Sequence, residues 1–329
     1  MIKKDDNKEK EFYAKDFNFS YSSLNKLLFS PSLFYKDYIL EERELKTDKH
    51  LVEGKLLHCL LFEPENFDKK FVIVPGKTPS DNVVKVLKDI ALHTDAATLA
   101  DCEDFVILDS LKSMNLYQSL KADEARLKKI RTEDAETYWE FLNNSDKDVI
   151  DRVTFNSIDD KLNALKNNDS VMDLFSIEQT DFELDNIEKH AEKYLASKLT
   201  DKPFGLHGYV DYFIVDHEKK TAVIADLKTT GKSLVDFNDT IDFYNYWLQA
   251  AIYCKLVYDH LGKNGDDYEI IFKFVVVDKY NQVYVFEVSQ RTLVKWSDGL
   301  GGVLNVAEYH YKEKNYSLPY DFLVNNVKL

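Results

Sequence analysis

The sequence predicts a mixed α/β fold, an α+β arrangement in which a mixed sheet is flanked by helices and interrupted by a helical insertion. Three observations predict it. Residues 205–230 and 270–289 each read as two apolar strands joined by a polar turn; an amphipathic stretch from about Asp236 to Leu261 separates them; and charge-rich helical patterns run from Pro79 to about Phe175. The order β-β-α-β-β with flanking helices suits a sheet covered by helices.

Taken in order, MIKKDDNKEKEF is charged and expected to be loose, so residues 1–18 are read as a flexible N-terminus. SYSSLNKLLFSPSLFYKDYIL (Ser20 to Leu40) reads as a capped helix, a break at Ser30-Pro31 and a second short helix. DKHLVEGKLLHCLLF (48–62) has helical apolar spacing and stops before Glu63-Pro64. VVKVLKDIALH and IDDKLNALKNN typify the charge-laced helices that follow. GLHGYVDYFIVD and TAVIADLKTT are strands joined by the turn DHEKK, and the segment from Gln290 to Glu313 is again helical.

With 329 residues, 44% hydrophobic and 13% aromatic, the chain buries a sizeable core. Residues 19–329 are read as a single domain with the helical insertion at about 79–175. The N-terminal sequence has no apolar signal-peptide region, and no apolar run approaches the roughly 18 residues of a membrane span, so a soluble cytoplasmic protein without a membrane partner is expected. Cys59, Cys102 and Cys254 are widely spaced and odd in number, which fits packed side chains rather than disulfides or a CxxC clamp. The net charge of −15 opposes a nucleic-acid partner, because affinity for DNA comes from Lys and Arg at phosphates. Binding depends on a local patch, however, and a carboxylate site accepts a polyanion once metal ions are present.

Period-two alternation puts Asp211 on one face with Tyr209 and Phe213, and puts Ile224, Asp226 and Lys228 on one face of the next strand. Adjacent antiparallel strands can bring Asp211 and Asp226 together around a hard cation such as Mg²⁺ or Mn²⁺, with Lys228 projecting into the same space. In phosphodiester hydrolysis a metal polarises the phosphoryl oxygen, and an ammonium stabilises developing charge. Alone, the DxK spacing fits a structural ion pair equally well. Gly54 and His58 stand at i and i+4 of a helix, where the glycine allows close approach to the sheet and the imidazole points at the site; a structural histidine is the bland alternative. Gln249 and Tyr253 stand one turn apart on the helix after the strand pair, a spacing that also fits ordinary helix surface and core.

GxxxH (Gly54 to His58), GxxD (Gly208-Tyr-Val-Asp211), DxK (Asp226-Leu-Lys228) and QxxxY (Gln249 to Tyr253), in this order, resemble the RecB-like and RecE-like branch of the PD-(D/E)xK nucleases. SYSSLNKLLFSPSLFYKDYI, GKLLHCLLFEPENFDKKFVI and DLKTTGKSLVDFNDTIDFYNYWLQAAIY extend the likeness, the latter two toward RecE-type phage exonucleases. The resemblance implies a restriction-endonuclease-like core. It implies that Asp211, Asp226 and the Leu227 carbonyl bind Mg²⁺ or Mn²⁺, as two ions, with His58 and Glu178 completing the shell and Glu183 as the rival of Glu178. Lys228 would act on the water or the transition state, Gln249 and Tyr253 would hold DNA or order the site, and Thr229 and Thr230 could touch a phosphate. Ser30 stands where cluster-bearing relatives have cysteine, so no iron–sulfur cluster is expected. No GxxxxGK[ST] occurs, so no ATP is expected.

The leading functional expectation is a DNA exonuclease acting on duplex ends in phage or mobile-element recombination inside a bacterial host cell, as a homo-oligomer and with a single-strand annealing protein. Alternatives are a single-strand or flap endonuclease of the same fold, and an inactive DNA-binding protein or DNA mimic to which the acidic charge would be suited.

Overall fold

The structure, a computed structural model, describes residues 6–43, 49–144, 146–175, 186–325 and 327. It divides into two compact units, residues 1–47 with 163–329, and residues 48–162.

The first unit is built on a six-stranded mixed sheet. Its strands are β1 (Asn18–Phe19) and, after β2 (Phe71–Ile73) and β3 (Asp148–Ile150) of the other unit, β4 (Ile187–Lys198), β5 (Gly205–Asp216), β6 (Thr221–Thr229), β7 (Glu269–Val277) and β8 (Val283–Val288). The order is β1-β5-β6-β7-β8, with β4 antiparallel to β5. β5 and β6 form the expected hairpin, as do β7 and β8, whereas β6 and β7 are parallel. A parallel pair needs a crossover, and helices supply it here. β6 and β7 are central and almost wholly apolar, with Ile224, Phe272, Phe274 and Val276 fully buried.

The strand β4 is absent from the sequence expectation. IEKHAEKYLASK alternates weakly and is rich in charge, because only Leu195 and Ser197 of this strand are buried. Long edge-type strands of this kind lack the apolar run that marks a central strand.

Helices of this unit are α1 (Asp6–Ala14), α2 (Tyr21–Phe29) and α3 (Pro31–Phe34), the last followed by a π turn at Tyr35–Ile39. The segment expected to be loose therefore contains a helix, and Phe12 on it packs against Phe17 and Phe34 in the core. The expected cap and break are present. Ser20 and Ser23 form a capping box on α2, and Ser30-Pro31 ends it.

The second unit begins with α4 (Lys49–Phe62) and α5 (Phe67–Lys70) and pairs β2 with β3 in parallel. It continues through α6 (Asp81–Ile90), α7 (Asp104–Ser113), α8 (Asp123–Ile130) and α9 (Glu133–Asn143). α6 buries Val83, Val86, Leu87 and Ile90, a single apolar stripe at i, i+3, i+4 and i+7. Trp139 of α9 is fully buried in the same core, and its indole N–H donates to the Ala96 carbonyl at 3.0 Å. α10 (Arg152–Lys166), which spans the division, and α11 (Asp169–Phe175) complete the helical segment.

The crossover from β6 to β7, a single helix by its sequence pattern, is two helices, α12 (Phe237–Tyr244) and α13 (Tyr246–His260). Asn245 separates them in the left-handed region, at φ 57°. Asparagine tolerates this conformation better than other non-glycine residues, and the apolar pattern continues through the break, so periodicity does not reveal it. α13 packs across β4, β5, β6 and β7, and α14 (Gln290–Glu313) packs on α13; α15 (Tyr320–Val324) follows.

Gly205 lies where β1, β4 and β5 meet. A Cβ there would stand 2.3 Å from Asn18 Oδ1 and 2.4 Å from the Ser197 carbonyl oxygen, and the latter is backbone that cannot swing away. Gly205→Ala is expected to cost about 1–3 kcal/mol of stability, the usual range for overpacking, read as a lower urea midpoint at unchanged slope.

Candidate active site

β5 changes phase in mid-strand. Gly208 faces α13, since a Cβ on it would lie 3.1 Å from Tyr253 Cε1. Phe213 also faces α13, with its ring 5.8 Å from that of His260. Residues five apart in an unbroken strand point to opposite faces, so the alternation shifts between them. Asp211 therefore does not share a face with both Tyr209 and Phe213, as simple alternation predicts. Tyr209 is 60% exposed and Phe213 fully buried.

The shift coincides with missing rungs on both sides of Asp211. Toward β4, one register holds along the whole pair, and the rung that would join Asp211 to Glu192 is the one left unformed. Glu192 has φ 46°, a left-handed conformation. Toward β6, regular pairing ends at Tyr212↔Ala225, so Asp211 and Asp226 are the next residues on each side of the fork. The backbone groups released there need other partners. The Asp211 carboxylate supplies one, with Oδ2 accepting the Leu227 N–H at 2.9 Å.

Around this fork the structure gathers the expected acids and the lysine. Asp226 is fully buried and Asp211 nearly so. Lys228 Nζ lies 2.5 Å from Asp226 Oδ2, with its side chain 11% exposed, and 4.8 Å from the centroid of the Tyr246 ring. Desolvation alone would lower the lysine pKa, but the charges of Asp226 and then Asp211 oppose it and hold the group above its usual value. The ammonium stays charged.

Gln249 and Tyr253 lie on the face of α13 above the strands. Gln249 Nε2 donates to Tyr253 Oη at 2.9 Å, both residues being buried. Burial, followed by the negative charges of Asp211 and Asp226, raises the Tyr253 pKa well above normal, so the phenol remains protonated. Gly208 is the residue that admits this ring, which gives the glycine of GxxD a steric reason.

The sequence reading missed the residues that position Tyr246 and the α12–α13 break. Tyr21 Oη donates to the Tyr244 carbonyl at 2.5 Å, and Asn25 Nδ2 donates to the same oxygen at 3.3 Å. Asn245 Nδ2 donates to Asn25 Oδ1 at 2.8 Å, and its own Oδ1 accepts the Trp247 indole N–H at 3.0 Å. α2 thus holds the end of α12 in place. Isolated Tyr and Asn residues carry no periodic signal that could have found this.

Glu192 was also missed. One of its carboxylate oxygens and one of Asp211 come within 4.8 Å of each other. The acid expected on the strand before GxxD is Glu178, with Glu183 as its rival; both lie outside the described residues. The only signal for Glu192 is its place directly across β4 from Asp211, which requires the register. Thr229 is half-buried at the end of β6, while the Thr230 Oγ1 accepts the Lys232 N–H at 3.1 Å in the turn that follows. His58 lies on α4 of the second unit, edge-on to Phe62 at 5.9 Å. A Cβ at Gly54 would meet no described atom within 4 Å.

A family model of the PD-(D/E)XK nuclease superfamily matches residues 18–297. The chain belongs to this superfamily. Its mixed sheet flanked by helices is the corresponding fold. A crystal structure of a Eubacterium rectale protein, "Putative exonuclease", is similar over 100% of this chain and 96% of that one, at 10% identity and a TM-score of 0.45. No curated protein matches the chain in sequence.

Nucleases of this superfamily use divalent metals, and the donor set fits a hard cation. Glu192 and Asp211 offer neighbouring carboxylate oxygens, and Asp226 stands across the fork. Asp211 and Asp226 are both buried, in surroundings that screen charge poorly and so favour a cation beside them.

Lys228→Ala would leave Asp226 as a buried charge without its cation. The expected loss in metal-free buffer is about 3–5 kcal/mol. Adding Asp226→Asn to the same chain should recover most of it, and a double-mutant cycle in urea measures the coupling. Additive losses would show that the pair contributes little.

Proposed function

We propose that this protein is a metal-dependent DNA exonuclease of the RecB/RecE-like branch that hydrolyses double-stranded DNA from its ends. The observation that carries the hydrolytic reading is the fork of β5 and β6, which sets Asp211, Asp226 and Lys228 together beside Glu192. The exonuclease mode rests on the likeness of residues 54–73 and 226–253 to RecE-type proteins.

In this reading Asp211, Asp226, Glu192 and the Leu227 carbonyl would hold Mg²⁺ or Mn²⁺, as two ions, and His58 is a further candidate. An ion held there would supply Lewis-acid polarisation of the phosphoryl oxygen and a lowered pKa for the attacking water. Lys228, kept charged by Asp226, orients that water or stabilises charge developing on the phosphate. Tyr253 and Gln249 brace β5 at Gly208, and the Tyr246 ring covers the lysine's ammonium. Thr229 is a candidate phosphate contact. We place the protein in the cytoplasm of a bacterial host, as a homo-oligomer working with a single-strand annealing protein in phage or mobile-element recombination, and as a single nuclease domain carrying a helical insertion. No described helix is long and apolar enough to cross a membrane.

A specific observation favours a single-strand or flap endonuclease as the second reading. Tyr194 and Tyr209, 48% and 60% exposed, pair across β4 and β5 with ring centroids 5.2 Å apart. Each stands two residues from Glu192 or Asp211, and exposed rings beside a catalytic centre suit the stacking of unpaired bases.

Incubation of end-labelled linear duplex, circular duplex and flapped DNA with Mg²⁺ separates the readings. Loss of linear duplex alone is expected; cleavage of circles or flaps would transfer the assignment to the endonuclease. Lys228→Met is expected to lower kcat about 10²–10³-fold, and an unchanged rate would remove the lysine from the chemistry. Glu192→Gln should raise the Mg²⁺ concentration for half-maximal rate about tenfold, corresponding to roughly 1.4 kcal/mol of lost cation binding. A Mg²⁺ titration identical to that of the unaltered chain would exclude Glu192 from the shell.

A further inference from the structure

We propose that Glu188, His190 and His260 form a second metal site, specific for a transition-metal ion of the zinc class and distinct from the hard-cation centre at the β5–β6 fork. Glu188 and His190 are two apart on β4 and share a face, and His260 ends α13, which packs on that strand. One ligand atom from each of the three lies within 4.8 Å of the other two. Metal–nitrogen and metal–oxygen bonds of about 2.0–2.2 Å place ligands up to about 4.2 Å apart across an ion. Small side-chain rotations at this part-exposed site therefore close the set.

The carboxylate is also oriented from behind. Glu188 Oε2 is 3.2 Å from His190 Nε2, while Glu188 Oε1 is 2.8 Å from Nε2 of His217, which follows β5. The other nitrogen of His217 is 2.6 Å from Tyr268 Oη. If Nε2–H donates to Glu188, Nδ1 accepts the Tyr268 hydroxyl, which fixes both the tautomer and the ring. Hydrogen-bonded partners of this kind commonly hold metal-binding carboxylates and imidazoles in place. Phe213 backs the two ligand rings, at 4.6 Å from His190 and 5.8 Å from His260.

Three of the chain's 8 histidines converge here, from β4, the β5–β6 turn and α13. Their chemistry differs from that of the fork. Two imidazoles and one carboxylate select zinc-class ions, whereas carboxylates alone suit Mg²⁺ or Mn²⁺. Glu188 is four residues from Glu192 along β4, about 13 Å at strand rise, so the two sites are separate. An ion here would tie β4 to the end of α13 and steady the stretch that leads to Glu192.

The test uses the full chain, stripped with chelator and dialysed against micromolar Zn²⁺ in excess Mg²⁺, which occupies oxygen sites without displacing zinc from imidazole. One retained zinc per chain is expected by elemental analysis, with a zinc X-ray absorption spectrum showing two imidazoles in its shell. His190→Ala combined with His260→Ala should lose that zinc, and His93→Ala should keep it. No zinc retained by the unaltered chain, or an all-oxygen shell around it, overturns the proposal without depending on the folding of any variant. A double variant with an unchanged urea midpoint in chelator that still binds one zinc overturns it as well.

Discussion

The structure depends on one local constraint: β5 must change phase at Asp211 while remaining part of the sheet. An ordinary strand would send its side chains alternately to α13 and away from it, and Gly208 and Phe213 could not both meet that helix. Releasing the rungs on either side of Asp211 makes the shift possible, and it leaves backbone donors at the point where the carboxylate turns in. Asp211 answers this by accepting the Leu227 N–H. The same event opens the sheet, sets two acids across the fork and brings Glu192 opposite Asp211. Sheet geometry and site chemistry are thus one feature.

Support for the fork comes from the helical layer. Tyr253 can lie on β5 because residue 208 has no side chain, and Gln249 fixes its hydroxyl. Tyr246 reaches the Lys228 ammonium because the crossover breaks at Asn245, and α2 holds that break through Tyr21 and Asn25. The serine-rich segment thereby acquires a physical role, because its capped helix anchors the end of α12. Apolar packing supplies the rigidity, since Leu24 and Leu27 of α2 are buried in the common core.

Charge is distributed to match. The chain as a whole is strongly acidic, yet the ion pair of Asp226 and Lys228 is withdrawn from solvent and retains a positive group among carboxylates. Breaking such a pair is costly in a low dielectric, whereas a cation bound beside the acids would offset their negative charge. An acidic protein can in this way present an electrically compensated centre to a polyanion.

The sequence by itself determined the main hairpins, the capped helix and the residue types that meet at the fork. The capped helix at Ser20, the hairpins around Asp216–Thr221 and Val277–Val283, and the apolar central strands are local or short-period signals. DxK is equally local, since residues two apart on a regularly paired strand share a face, and β6 is paired without a break through Thr229. Tertiary structure alone decided the rest. β4 is too charged to announce itself as a strand, and Glu192 acquires significance only through its register against Asp211. The crossover breaks at Asn245 because distant hydrogen bonds hold a left-handed residue within an uninterrupted apolar pattern. The face on which Asp211 lies depends on which rungs form, and rungs join residues that are remote in sequence, so no window along the chain contains them.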